Sequence, residues 1–286
     1  MSTSKIASAG FSSFAFNSKG EIQGFGSNEF SLIEDIPKGS GYKYISAEFH
    51  YVLAINSNNE IVGWGSLTEY KEDCFDDPIY GSDYLVPNPQ VAGIVKRSDY
   101  VSVSAGYAYV LALTSNGEII SWGNNSHLSK CKIPEGSDFV EVSAGTNFAM
   151  ALRSNGKIES WGLDLNQQVS NTPTDLEYIA ISANQGNPAA LRRDGTIICW
   201  GDNKCNTPTN SGYVAISASD HHALALKNDG SLVSWGNNQI FPIPKGTNFV
   251  AISTELGYSV ALDDEEKIII WGKLDNKNVN KSYTLS

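Results

Sequence analysis

Residues 220 to 236 read DHHALALKNDGSLVSWG. Two short apolar runs flank Asp229-Gly230, and an Asp-Gly step supplies the positive φ that a tight hairpin needs. Ala223 to Leu226 and Leu232 to Trp235 are therefore predicted to be paired strands. Ahead of them, Tyr213 to Ser217 is small and apolar, as suits an innermost strand near a crowded axis.

The same sentence is written seven times. An aromatic-Gly pair recurs at Phe25-Gly26, Trp64-Gly65, Trp122-Gly123, Trp161-Gly162, Trp200-Gly201, Trp235-Gly236 and Trp271-Gly272, and these six tryptophans are all that the chain contains. The intervals are 39, 58, 39, 39, 35 and 36 residues, and the copies span residues 6 to 272. Upstream of the pairs stand, for example, ISAEFHYVLAINSNNEIVGWG, VSAGYAYVLALTSNGEIISWG and ISTELGYSVALDDEEKIIIWG. After each pair a polar, proline-containing stretch returns the chain to the next inner strand, and an outer edge strand there would tolerate proline. A three-strand unit cannot bury both faces alone, so the copies are expected to close around an axis and protect one another's edges. The predicted architecture is an all-β, seven-bladed β-propeller in one domain over residues 1–286, with an insertion at about 68–96 between the second and third repeats.

The pattern S-A-G-x-x-[H/Y/F]-x-x-A-L-x-x-[N/D]-G-x-[I/V]-x-x-W-G resembles the regulator-of-chromosome-condensation repeat, over almost the whole chain. The family's histidine before Leu-Ala-Leu survives only as His222; Ser12, Tyr51, Tyr109, Phe148, Asn187 and Tyr258 stand in its place elsewhere. Most copies are also shorter than in the eukaryotic founder and are similar to the abbreviated bacterial versions. The family includes exchange factors for the small GTPase Ran, ubiquitin-ligase modules, a light receptor and a bacterial β-lactamase inhibitor. The resemblance thus implies a fold and leaves the function open.

Composition narrows the choice. With 31 acidic against 20 basic residues and a net charge of −11, the chain repels a phosphate backbone, which argues against nucleic acid as a partner. Cys74, Cys131, Cys199 and Cys205 show no C-x-x-C spacing in a chain large enough to fold without staples, and read as reduced thiols. The N-terminal MSTSKIASAGFSS has no Sec-type pattern, no run approaches a membrane span, and position 283 is tyrosine where a prenylation box needs cysteine. A monomer in the cytoplasm is expected, in a host cytosol if the chain is a secreted bacterial effector. Neither a cofactor nor a metal is expected: His221 and His222 are neighbours on or near a strand and point to opposite sides, and Asp263-Asp264-Glu265-Glu266 reads as a solvated turn.

Recognition is expected where the repeat varies. The turns between first and second strands share one face with the segments after Trp-Gly, and there Phe49, His50, Tyr107, Asn147, Gln185, Asp220, His221 and Glu255 break the pattern. The 58-residue interval begins on that face. Its TEYKEDCFDDPIYGSDY interleaves acids with rings, and Glu69, Tyr70, Asp73, Asp76, Asp77, Tyr80, Asp83 and Tyr84 suit docking on a basic protein surface. The alternative is that this blade merely keeps an outer strand. G-x-S-x-G, H-E-x-x-H, P-loop and dinucleotide motifs are all missing, so covalent catalysis is not expected. Two readings remain. The resemblance implies a guanine nucleotide exchange factor or activator of Ran or a related GTPase, which needs only tighter binding to the nucleotide-free state. The other is a scaffold or protein inhibitor that presents its face to a partner.

Overall fold

A computed structural model of the chain describes residues 5–65, 68–71, 84–87, 89–107, 109–123, 132–183, 188–201, 206–236, 242–274 and 277–286. The predicted repeat is realised as seven antiparallel sheets. Blade 1 is β1 (Ile6–Ala9), β2 (Ser12–Phe16) and β3 (Ile22–Gly26); blade 2 is β4 (Tyr44–Glu48), β5 (Tyr51–Ile55) and β6 (Ile61–Gly65). The insertion holds β7 (Thr68–Lys71), β8 (Tyr84–Pro87) and a single helical turn, α1 (Pro89–Ala92). Blade 3 is β9 (Tyr100–Ala105), β10 (Tyr109–Thr114) and β11 (Ile119–Gly123), and blade 4 is β12 (Phe139–Ala144), β13 (Phe148–Arg153) and β14 (Ile158–Gly162). Blade 5 is β15 (Tyr178–Ser182), β16 (Ala189–Arg192) and β17 (Ile197–Cys199); blade 6 is β18 (Tyr213–Ala218), β19 (His222–Lys227) and β20 (Leu232–Gly236). Blade 7 is β21 (Phe249–Glu255), β22 (Tyr258–Asp263), β23 (Lys267–Leu274) and β24 (Lys277–Thr284).

Each repeat residue has a mechanical task. The aromatic of the aromatic-Gly pair packs on the preceding blade: Trp64 joins the cluster of Phe14, Phe16 and Ile22, and Trp122 joins that of Leu53, Ile55 and Ile61. In two blades the indole also fastens the connecting segment, since Trp64 Nε1 donates to Leu32 O at 2.8 Å and Trp200 Nε1 to Gln168 O at 2.9 Å. The following glycine takes φ between 100° and 125° in all seven copies. At Gly272 a Cβ would lie 2.6 Å from both Gly257 O and the Tyr258 Cα, so no side chain fits that approach.

Polar groups link the blades around the axis. The serine of the S-A-G pattern accepts the backbone N–H of the next blade's inner strand: Ala105 N to Ser46 Oγ at 2.9 Å, Ala144 N to Ser104 Oγ at 2.9 Å, Ala183 N to Ser143 Oγ at 2.8 Å, Ala218 N to Ser182 Oγ at 3.0 Å and Thr254 N to Ser217 Oγ at 3.0 Å. These are edge amides with no strand to pair with, and the serines satisfy them. The departures from the family's histidine make an equivalent link further out. Tyr51 donates to Gly106 O at 2.6 Å, Tyr109 to Phe148 O at 2.7 Å and Tyr258 to Ser12 O at 2.7 Å, while His222 Nε2 meets Ser259 Oγ at 2.7 Å.

The C-terminal strand closes the ring. β24 is the fourth strand of blade 7, and Leu285 is buried with Ile6 and Ala15 of blade 1. Ser286 O accepts Asn17 Nδ2 at 2.7 Å and Gln23 Nε2 at 2.6 Å. Phe25 stacks on Tyr283 with ring centroids 4.9 Å apart. Among the described residues, blade 7 alone has an outer strand. The insertion does not supply one to blade 2, because β7 and β8 pair only with each other in a separate two-stranded sheet.

One sequence expectation is corrected. Cys199 is disulfide-bonded, so the four cysteines are not all free thiols. Cys74, Cys131 and Cys205 lie outside the described residues. Chain length argued that no staple was needed, but a bridge depends on local approach rather than on total core size. The cysteines therefore lend no support to a reducing compartment.

Candidate functional site

The inner strands surround an axial cavity of about 320 Å³. Strand direction alternates, so the inner turns and the segments after Trp-Gly share one face. Backbone bonds join them directly, from Ser27 N to Phe11 O, Leu163 N to Asn147 O and Lys273 N to Gly257 O. On this face the axial cavity widens into a mouth of about 480 Å³.

Glu48 and Glu255 stand at equivalent ends of β4 and β21, at the position that is Gly106 or Gly145 in blades 3 and 4. Both line the mouth, and Asp220 reaches it from the turn of blade 6. The three carboxyl groups interact. Burial pushes Glu48 up to about 8, with the Asp220 charge adding to it. Burial raises Glu255 well above the usual carboxylate range, with the Glu48 charge acting in the same direction. In the free protein the mouth thus holds protons that an incoming cation would displace.

The rim is apolar. Phe49, Tyr107 and Leu256 line the mouth and are 37%, 55% and 41% exposed. Beside them Phe30, 44% exposed and held at φ 59°, places its ring 6.2 Å from that of Phe49 and 5.8 Å from that of His50. A bulky residue in the left-handed region is strained, and such strain clusters where a side chain is being aimed. Large exposed rings around carboxylates match a basic segment with apolar neighbours: the rings supply contact area and the acids supply steering and register.

Of the residues expected from sequence, the structure brings Phe49, Tyr107, Asp220 and Glu255 together at this mouth. His50 lies behind Phe49, in ring contact with it and with Tyr51. Asn147 is in its turn, with its carbonyl accepting Leu163 N, and exposed His221 is on the blade 6 turn, outside the mouth lining. Glu69 and Tyr70 fall on β7 and Tyr84 on β8. Gln185, Asp73, Asp76, Asp77, Tyr80 and Asp83 lie outside the described residues. Glu48 and Leu256 belong to the same variable inner turns as Phe49 and Glu255, whereas Phe30 lies outside them. Glu48 replaces a glycine of the repeat just as Glu255 does; Phe30 sits in a capped turn that recurs after Trp161-Gly162, where Asn166 takes its place.

Other polar candidates have structural tasks. His222 is buried, and burial lowers its imidazole to about 4, so it spans two blades as a neutral ring. Asp263 Oδ1 accepts Glu265 N at 3.0 Å and Lys267 N at 2.8 Å, which fixes the last hairpin. Among the described residues no cluster of three His, Cys, Asp or Glu has metal-binding geometry. No described helix is long and apolar enough to cross a membrane.

Comparison with known proteins bears on the repeat and the fold. The family model "Regulator of chromosome condensation (RCC1) repeat" matches residues 100–127 and 213–239, in blades 3 and 6. A 110-residue stretch, 38% of the chain, is 26% identical to E3 ubiquitin-protein ligase HERC2 of Homo sapiens and equally to that of Mus musculus; it spans 2% of the length of those proteins. Among solved structures, the CRINKLY WD40 ectodomain of the Arabidopsis thaliana receptor kinase ACR4 superposes with a TM-score of 0.72 at 18% identity, covering 95% of this chain and 96% of that one. The ectodomain of the Physcomitrella patens receptor kinase CR4 gives 0.72 at 17% identity, covering 95% and 73%. Human WBSCR16 gives 0.52 at 14%, covering 100% and 82%. At these identities the structures report on fold alone. The chain is a seven-bladed β-propeller that carries regulator of chromosome condensation repeats at residues 100–127 and 213–239.

Proposed function

We propose that this propeller is a protein-interaction module that seats a basic, partly apolar segment of a partner protein at the turn-side mouth. The observation that carries this reading is the combination of Glu48, Asp220 and Glu255 with exposed Phe49, Tyr107 and Leu256 around one opening. The partner class is a small GTPase, Ran or a relative, and the activity is guanine nucleotide exchange. That finer reading is supported by the repeat family and by the acidic, aromatic composition of residues 69 to 84.

Exchange by such a module needs no proton shuttle. The mouth holds the GTPase, and the insertion competes for its basic and switch elements, so that the nucleotide-free form binds more tightly and nucleotide affinity falls reciprocally. Small GTPases loaded with fluorescent nucleotide test this. Release accelerated by substoichiometric protein, and abolished by Asp76→Ala, Asp77→Ala, Tyr80→Ala and Tyr84→Ala together, is the expected result. Stoichiometric binding without release would leave the binding module and remove the exchange activity. The second reading, a scaffold or inhibitor, is favoured by the same mouth, which requires no insertion.

A further inference from the structure

The opposite end of the channel is built differently. In blades 3 to 7 each inner strand bulges at the equivalent position, occupied by Val101, Val140, Ile179, Val214 and Val250. Four of these β-branched side chains, all but Val101, are 44% to 51% exposed. The next position faces the same Leu or Ile of the second strand in each blade. Blades 5, 6 and 7 place Ala180, Ala215 and Ala251 there, whereas blades 2, 3 and 4 place Tyr44, Ser102 and Glu141. The repeat thus writes small residues in blades 5 to 7 and a hydroxyl, hydroxyl, carboxyl arc in blades 2 to 4, with exposed Lys5 of blade 1 between them on the axial cavity.

That arc ends a cavity of about 530 Å³ between blades 3 and 4, walled by Val101, Leu113, Phe139, Val140 and Ile179. Tyr44 and Glu141 also line the axial cavity, so the two spaces meet at these side chains. The arc is under-satisfied. Glu141 Oε2 accepts Ile181 N at 3.2 Å, and its other oxygen has no hydrogen-bond donor among the described residues. Ser102 is 7% exposed, and its buried Oγ has no well-formed hydrogen bond, the Tyr44 hydroxyl being the polar group it acts on. Burial pushes Glu141 up to about 8, and burial likewise pushes the Tyr44 phenol up to about 12. Buried polar groups without partners are costly, and native structures keep few of them.

We propose that this cavity is a second binding site, distinct from the turn-side mouth, for a small primary amine carrying an apolar body. An ammonium presents three donors and no acceptor. One donor reaches the open Glu141 oxygen and the others the Ser102 and Tyr44 hydroxyls, while the body lies on Val101, Val140 and Ile179. A carboxylate or phosphate ligand brings no donor to these oxygens and leaves Glu141 protonated, and an alcohol of the same shape has one donor where the ammonium has three. The volume lies within the usual range for small-molecule pockets.

Calorimetric titration of the full chain with phenethylamine, 2-phenylethanol and 3-phenylpropanoate tests the assignment. The amine should bind saturably with one site. The alcohol and the carboxylate should bind roughly tenfold more weakly or worse, and Glu141→Gln should weaken the amine by a similar factor. Ser102→Ala, which deletes an oxygen with no well-formed hydrogen bond in the free protein, should leave the fold intact and weaken the amine less. Equal affinity for amine and alcohol, or a Glu141→Gln protein that binds the amine as well as the native chain does, overturns the proposal. The comparison among ligands on the unmodified protein keeps the test valid if a variant fails to fold.

Discussion

Two levels of the same inner strands follow different rules. At the serine level, Ser46, Ser104, Ser143, Ser182 and Ser217 do one thing five times, each accepting an edge amide of the next blade. Two residues further on, at the turn-side mouth, blades 2 and 7 carry Glu48 and Glu255 where blades 3 and 4 carry glycine. The serine level is periodic and satisfied; the mouth is aperiodic and holds carboxyl groups whose pKa values burial has raised. The contrast teaches that in a repeat protein the scaffold is what recurs, and the site is where recurrence costs stability and is abandoned.

The contrast can be broken from the scaffold side first. Leu285→Ala empties the ring-closing position between blades 7 and 1 and should cost about 2–5 kcal/mol of stability, read as a lowered urea midpoint, while binding at the mouth persists below the transition. A smaller effect is expected from pH. Glu48 and Glu141, raised to about 8, bind more protons in the native state between about pH 4.5 and 8, and the raised Glu255 acts in the same direction. Their stabilising contribution is complete below pH 4.5 and is lost as pH rises through about 8; thermal midpoints should fall over that window, and Glu48→Gln should flatten the slope. Ser143→Ala strands Ala183 N and should cost about 1–3 kcal/mol. Smallest of all, Tyr107→Ala, with its ring 55% exposed, should change stability by no more than about 0.5 kcal/mol.

How much of this was legible beforehand follows from the same division. The blades could be read because every strand is bounded by a turn signal and the aromatic-Gly pair returns in register, so Phe25 and the six tryptophans were identifiable as packing residues before any contact was known. The inter-blade tyrosines were visible only as departures from the family's histidine; that Tyr51, Tyr109 and Tyr258 each reach a carbonyl of the next blade needs the three-dimensional spacing. Ring closure by Leu285 and Ser286 has no repeat to announce it. At the mouth, variable turns pointed to Phe49, Tyr107, Asp220 and Glu255 but not to Phe30, which reaches the rim from the connection after Phe25-Gly26; the same capped turn follows Trp161-Gly162, with Asn166 in place of the ring. The disulfide at Cys199 was misread because spacing along the chain says little about approach in space.

The central claim is that the turn-side mouth is the docking site. It is tested most directly by titrating a short peptide of alternating arginine and leucine into the native protein, Ser143→Ala, Tyr107→Ala and the double variant Glu48→Gln, Glu255→Gln, at pH 7 and pH 8. The native protein should bind more tightly at pH 8, because the cation displaces protons from the carboxyl groups. The double variant and Tyr107→Ala should each lose roughly tenfold or more, while Ser143→Ala, the scaffold change, should bind as the native chain does. Affinity that is the same for the native protein and the double variant, at both pH values, would contradict the assignment of the mouth.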